Sequence, residues 1–128
     1  MSIELGVYDE KPGLDPCLVH TLTFLNERIT VRELIRERVY QEVRERNAGC
    51  TIKYASLVEK REAMGWETPA KPQLIDWEAQ FQVALEGFES NRYFVLVDDR
   101  QLGSLEDRFN ITPTTSVRFI KLVPLVGG

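Results

Sequence analysis

Residues 18–47, LVHTLTFLNERITVRELIRERVYQEVRERN, decide the fold. From Leu18 to Leu25 the run alternates, with His20, Leu22 and Phe24 facing one way and Thr21 and Thr23 the other, the period of a strand with one buried side. Alternation ends at Thr30-Val31-Arg32-Glu33, which reads as a capping box. The Thr30 hydroxyl accepts from a first-turn amide while the Glu33 carboxylate reaches back. Val31, Leu34, Ile35, Val39 and Val43 then recur at helical spacing and predict a helix over 31–47. Asn-Ala-Gly at 47–49 supplies a residue able to take the left-handed closing position.

Upstream, Ser2 to Tyr8 alternates too, with Ile3, Leu5 and Val7 on one face and Ser2, Glu4 and Tyr8 on the other. The turn chemistry of Glu-Lys-Pro-Gly at 10–13 and Asp-Pro at 15–16 reverses the chain, so the two strands form a hairpin. Downstream, residues 48–75 are less regular, with a short helix expected over Ala55 to Ala63. Asp76 caps a second expected helix whose stripe is Trp77, Phe81, Ala84, Leu85 and Phe88. Tyr93 to Val97 reads as a strand, Asp98-Asp99-Arg100 as a turn, Gln101 and Leu102 as a short return strand, and Ser116 to Val123 as a last strand. No internal repeat or linker divides the chain, so 1–128 is expected to be one domain.

Sixteen Lys+Arg against twenty Asp+Glu leave a net charge of -4, which argues against a general hold on nucleic acid or anionic membrane. A protein partner is expected instead. The early charge in MSIELGVYDE and the lack of a long apolar run point to a cytoplasmic chain with no signal segment or membrane span. Cys17 and Cys50 are too few for a disulfide framework and are not spaced as metal ligands.

Catalytic chemistry finds little support. His20, the single histidine, has no Ser, Cys or metal-ligand cluster near it in sequence. Asp98 and Asp99 are adjacent in a turn and point apart, unlike an acid/base pair. Arg32, Arg36, Arg38, Arg44 and Arg46 are interleaved with Glu33, Glu37, Glu42 and Glu45, which reads as a solvated helix face rather than an RNA contact. No phosphate-cradling glycine loop or nucleophile elbow occurs. The expectation is a chain with no catalytic residue, no metal site and no cofactor of its own: not an enzyme.

The order strand, strand, helix, strand, short strand, strand, ending in Gly-Gly, resembles the β-grasp fold of ubiquitin and its relatives. TLTF at 21–24 followed by TVRELI at 30–35 looks like ubiquitin's second strand entering its capped helix. VLVDDRQL at 95–102 is similar to its third strand, turn and return, and LEDRFNI at 105–111 to the turn before its last strand. The tail LVPLVGG at 122–128 looks more like those of the molybdopterin-synthase small subunit and other prokaryotic sulfur carriers. The resemblance spans 1–47 and 91–128 and leaves 48–90 as an insertion that neither family has. It implies an α+β domain with a mixed sheet packed on one helix, the helical insertion lying between that helix and the third strand.

Glycine lacks a side chain, so Gly127 and Gly128 could pass a channel too narrow for other residues. A carboxylate is a poor electrophile, so an activating enzyme that uses ATP would have to adenylate Gly128 before an amine or sulfur could attack. Extended, the seven residues 122–128 reach about 23 Å at roughly 3.3 Å each. The resemblance thus implies Gly128 as the point of covalent attachment, with Pro124, Leu125, Val126 and Gly127 read by the activating enzyme. With Gly128 last, no processing protease is expected.

Strand alternation under the ubiquitin pairing sends Val95, Val97, Val117 and Phe119 inward and Leu96, Arg118 and Ile120 outward. Those three would form a partner-binding surface, unless the Trp77–Phe88 helix covers the apolar pair. Three functions stand. The first is a protein modifier joined to a target's lysine with the help of a conjugating enzyme. The second is a sulfur carrier whose Gly128 becomes a thiocarboxylate for cofactor or tRNA thiolation. The third is a non-conjugated interaction module. Lys11, Lys53, Lys60, Lys71 and Lys121 would permit chain formation, but none is singled out.

Overall fold

The alternating runs and the capped apolar stripe build an α+β architecture in which one face of a mixed sheet packs on two helices. The structure, a computed structural model, describes residues 2–11, 13–49 and 74–121. The expected helix at 55–63, Cys50 and the tail from Leu122 to Gly128 lie outside the described residues. The elements are β1 (Ile3–Glu10), β2 (Cys17–Phe24), β3 (Arg28–Thr30), α1 (Val31–Asn47), α2 (Trp77–Glu89), β4 (Tyr93–Val97), β5 (Arg100–Leu102), β6 (Arg108–Asn110) and β7 (Ser116–Lys121).

The main sheet runs β2-β1-β7-β4-β5. β1 and β2 form the expected antiparallel hairpin, with Leu5 opposite Leu22 and Val7 opposite His20. β7 lies between β1 and β4, parallel to β1 (Val7 opposite Val117) and antiparallel to β4 (Val95 opposite Phe119). First and last strands are therefore central neighbours. Leu5, Val7, Leu22, Phe24, Val95, Val97, Val117 and Phe119 are buried on the inner face against Leu34, Ile35, Val39 and Val43 of α1.

Local chemistry sets the ends of α1. The Glu33 amide donates to the Thr30 hydroxyl at 3.1 Å, and that hydroxyl lies 3.4 Å from the Glu33 carboxylate. The carboxylate thus meets the threonine side chain rather than the Thr30 backbone N–H, so the threonine half of the expected box forms and the glutamate half does not. Val31 and Arg32 amides donate to the Asp107 and Leu105 carbonyls, so the 105–107 turn satisfies helix donors that would otherwise lack partners. At the other end Gly49 has φ of 79°, the left-handed conformation glycine tolerates.

The β3–β6 ribbon was not legible in the sequence. Each strand has three residues, with Ile29 opposite Phe109 and both buried. Three residues are too few for a recognisable alternation, and only long-range pairing defines these strands. The tight turn after β4 puts Asp98 and Asp99 at φ of 48° and 69°, the geometry that matches hairpin twist.

α2 packs on α1 and stays on the inner side of the sheet. Its Ala84, Leu85 and Phe88 are buried, Phe88 meets Tyr93 at 6.1 Å between ring centroids, and Tyr93 meets Phe119 at 5.9 Å. Among the described residues no helix is long and apolar enough to cross a membrane.

Candidate functional site

Strand alternation places Leu96, Arg118 and Ile120 together on the outer face of the sheet, opposite the helices. Leu96 on β4 is the direct cross-strand partner of Arg118 on β7, and Ile120 pairs with Phe94. Tyr8 on β1 flanks Arg118 from the other side, and Leu18 on β2 stands opposite Tyr8. All but Leu18 are half-buried, and Leu18 is 54% exposed. The side chains of Tyr8 and Leu18 close over Gly6, within 3.6 Å of where a Cβ would stand. The result is an apolar strip crossing four strands with one guanidinium at its centre.

That guanidinium is held from two sides. One Arg118 amino group donates to Asp99 in the β4–β5 turn, and the other lies 3.4 Å from Glu10 at the end of β1. Such pairs near solvent contribute little stability, but they aim the group across the strip. Asp98 turns away to accept the Ser116 amide at 2.9 Å and so ties the turn to β7. The two aspartates have separate structural partners.

α2 does not cover Leu96 and Ile120, because its apolar stripe is spent on α1 and the inner face. Trp77 packs edge-on against Tyr40 of α1, with ring centroids 5.5 Å apart.

One expectation about α1 is overturned. Arg38 and Glu42 are fully buried rather than part of a solvated face. They occupy the same helical stripe as Leu34, Ile35, Val39 and Val43, one turn apart, and point at the end of β1. Arg38 makes a forked pair with Asp9, at 2.5 and 2.8 Å, and its Nε donates to Glu42 at 3.0 Å. Its guanidinium carbon lies 4.4 Å from the centroid of the Phe119 ring. Burial alone would lower its pKa, but hydrogen bonding to Asp9 and the charges of Asp9 and Glu42 outweigh this and hold it above its ordinary value.

His20 closes the cluster from β2. It is 5% exposed, with Nε2 3.9 Å from Glu42 and Nδ1 3.7 Å from Glu45. The cluster therefore joins β1, β2 and α1 beneath the point where β7 ends. Among the described residues no group of three or more His, Cys, Asp or Glu is placed to hold a metal ion. The sequence did contain a signal for the cluster: charged residues at 38 and 42 fall on the spacing of the apolar stripe, and Asp9 continues the inward alternation of Leu5 and Val7.

Two more groups surround this end of β7. Lys121 is half-buried, and desolvation, with the charge of Arg38, pushes its ammonium pKa down. The Tyr93 hydroxyl donates to the Ala84 carbonyl at 2.5 Å, and burial pushes its pKa up. The folded Tyr93 keeps its proton where the unfolded chain loses it, so its contribution is full below about pH 10 and is lost as pH rises beyond. Lys121 acts in the opposite sense, since its folded ammonium releases its proton first. Tyr93→Phe is therefore expected to flatten the fall in stability above about pH 10. Urea unfolding of both proteins from pH 8 to 11 checks this; parallel curves would refute it.

Pro124, Leu125, Val126, Gly127 and Gly128 lie outside the described residues. No family model, curated protein or solved structure matches the chain.

Proposed function

We propose that this chain is a β-grasp protein of the ubiquitin-like kind and acts as a protein modifier through its Gly127-Gly128 tail. The observation that carries the reading is the strand order β2-β1-β7-β4-β5, with β7 central and parallel to β1. This order and the sequence motifs together support the reading. β7 is paired on both sides, and its core packing ends at Phe119 under Arg38.

In this reading an activating enzyme binds the outer face at Leu96, Arg118 and Ile120 and receives the tail. The Gly128 carboxylate attacks the α-phosphorus of ATP, and pyrophosphate leaves. A cysteine thiolate of the conjugating machinery then attacks the acyl carbon, AMP leaves, and the Gly128 acyl group is held as a thioester. A target lysine amine displaces that thiolate, forming an amide and giving up its proton. In this reading the ATP is bound by the activating partner.

The Pro-Leu-Val-Gly-Gly ending favours a second reading in which sulfur, rather than an amine, displaces AMP and leaves a thiocarboxylate. Mass spectrometry of N-terminally tagged protein from its native host, with a Gly128-deleted control, separates the two. Branched lysine peptides carrying this tail, absent from the control, are expected for the modifier. A single species heavier by one oxygen-to-sulfur exchange would establish the carrier. Neither product would overturn both and leave a binding module.

A further inference from the structure

A cleft of about 480 Å³ opens between the β4–β5 hairpin and the β3–β6 ribbon. Its floor is apolar: Val97, Leu102 and Phe109 line it and are each at most 8% exposed. Its rim carries Arg28 from β3, Arg100 from β5 and Arg108 from β6. Arg28 and Arg108 share one face of the ribbon, because each stands two positions from the other's cross-strand partner.

Among the described residues no ion pair holds the three rim arginines, and, unlike Arg36, Arg44, Arg46 and Arg92, which also lack one, these three line a common cleft. Asp98, the acidic residue lining the cleft, already accepts the Ser116 amide. Its carboxylate offsets one of the three positive charges, so the cleft keeps a surplus of positive charge in a chain with net charge -4, and that surplus favours an anion.

We propose that this cleft binds a small phosphorylated organic molecule. Arginine's planar fork suits phosphate oxygens, and three arginines from three strands converge on a compact anion rather than tracking a polymer. The net negative charge of the chain opposes a long polyanion. The apolar floor would receive the ligand's organic body, and the volume is that of a small-molecule site.

The test is an amide NMR titration of the full chain with adenosine 5′-monophosphate, inorganic phosphate and citrate. Saturable shifts at the cleft residues are expected with the nucleotide, weaker ones at the same residues with phosphate, and the weakest with citrate. Arg28→Gln combined with Arg108→Gln is expected to lower nucleotide affinity at least about tenfold. These side chains are exposed, so the fold should survive; Arg100→Gln, on a different strand, gives the same loss on an independent background. The proposal is overturned by no saturation below about 10 mM, by shifts scattered over the surface, by wild-type affinity in the variants, or by citrate binding as tightly as the nucleotide.

Discussion

Arg38→Met is expected to destabilise the protein by about 3–5 kcal/mol, because it removes one side of a buried ion network and leaves the other uncompensated. Asp9 is 9% exposed and Glu42 0%, so neither carboxylate can recover its lost partner from water without opening the structure. Phe119 loses the guanidinium against its ring as well, worth about 1 kcal/mol. Replacing Asp9, Arg38 and Glu42 together by Leu, Met and Leu has a different outcome. No charge is then stranded, and stability is expected to return to within about 2 kcal/mol of wild type. Urea denaturation of the two variants decides the matter. A loss below about 1 kcal/mol for Arg38→Met would mean that the network is not a unit. The network ties β1 to α1 where β7 ends, so its loss should also loosen the end of β7. Hydrogen exchange at Phe119, Ile120 and Lys121 is expected to accelerate before exchange at Val117 does.

Under the proposed modifier function, Leu96→Ala with Ile120→Ala is expected to weaken capture by an activating enzyme at least about 30-fold, the effect of losing central apolar anchors from an interface. The two side chains lie on the outer face and are half-buried, so the folding cost should stay near 1–2 kcal/mol, below that of truncating a fully buried leucine. Thr21→Ala, on the same sheet face but on β2, is the control and should bind as wild type. The readout is ATP–pyrophosphate exchange at limiting concentrations of the chain. A rise in the half-saturating concentration with an unchanged maximal rate places the defect in docking. Equal activity of the double variant and wild type would remove Leu96 and Ile120 from the partner surface and leave recognition to the tail.

Much of the architecture was determined by local sequence. Thr30 starts α1 because its hydroxyl satisfies the Glu33 backbone donor within one turn, and Gly49 closes it because it tolerates positive φ. The alternation in β1, β2 and β4 assigned their inner faces because the period of a strand admits only two choices. Asp76 began α2 by accepting the Glu78 amide at 3.0 Å, again within its own turn. Even the outward placement of Leu96, Arg118 and Ile120 followed from parity once the strands were recognised.

Tertiary structure decided what depends on residues distant in the chain. β3 and β6 exist because Ile29 and Phe109 bury each other across 80 positions of sequence, a pairing that three-residue segments cannot announce. Arg38 and Glu42 look like members of an exposed charged helix until Asp9 arrives from β1, since a buried charge is tolerable only where a fold brings a counter-charge to it. The three rim arginines come from three short strands and line one cleft only when those strands meet. Periodicity is a local property and can be read from one segment, whereas charge compensation and cleft formation are relations between segments, and only the packed chain supplies them.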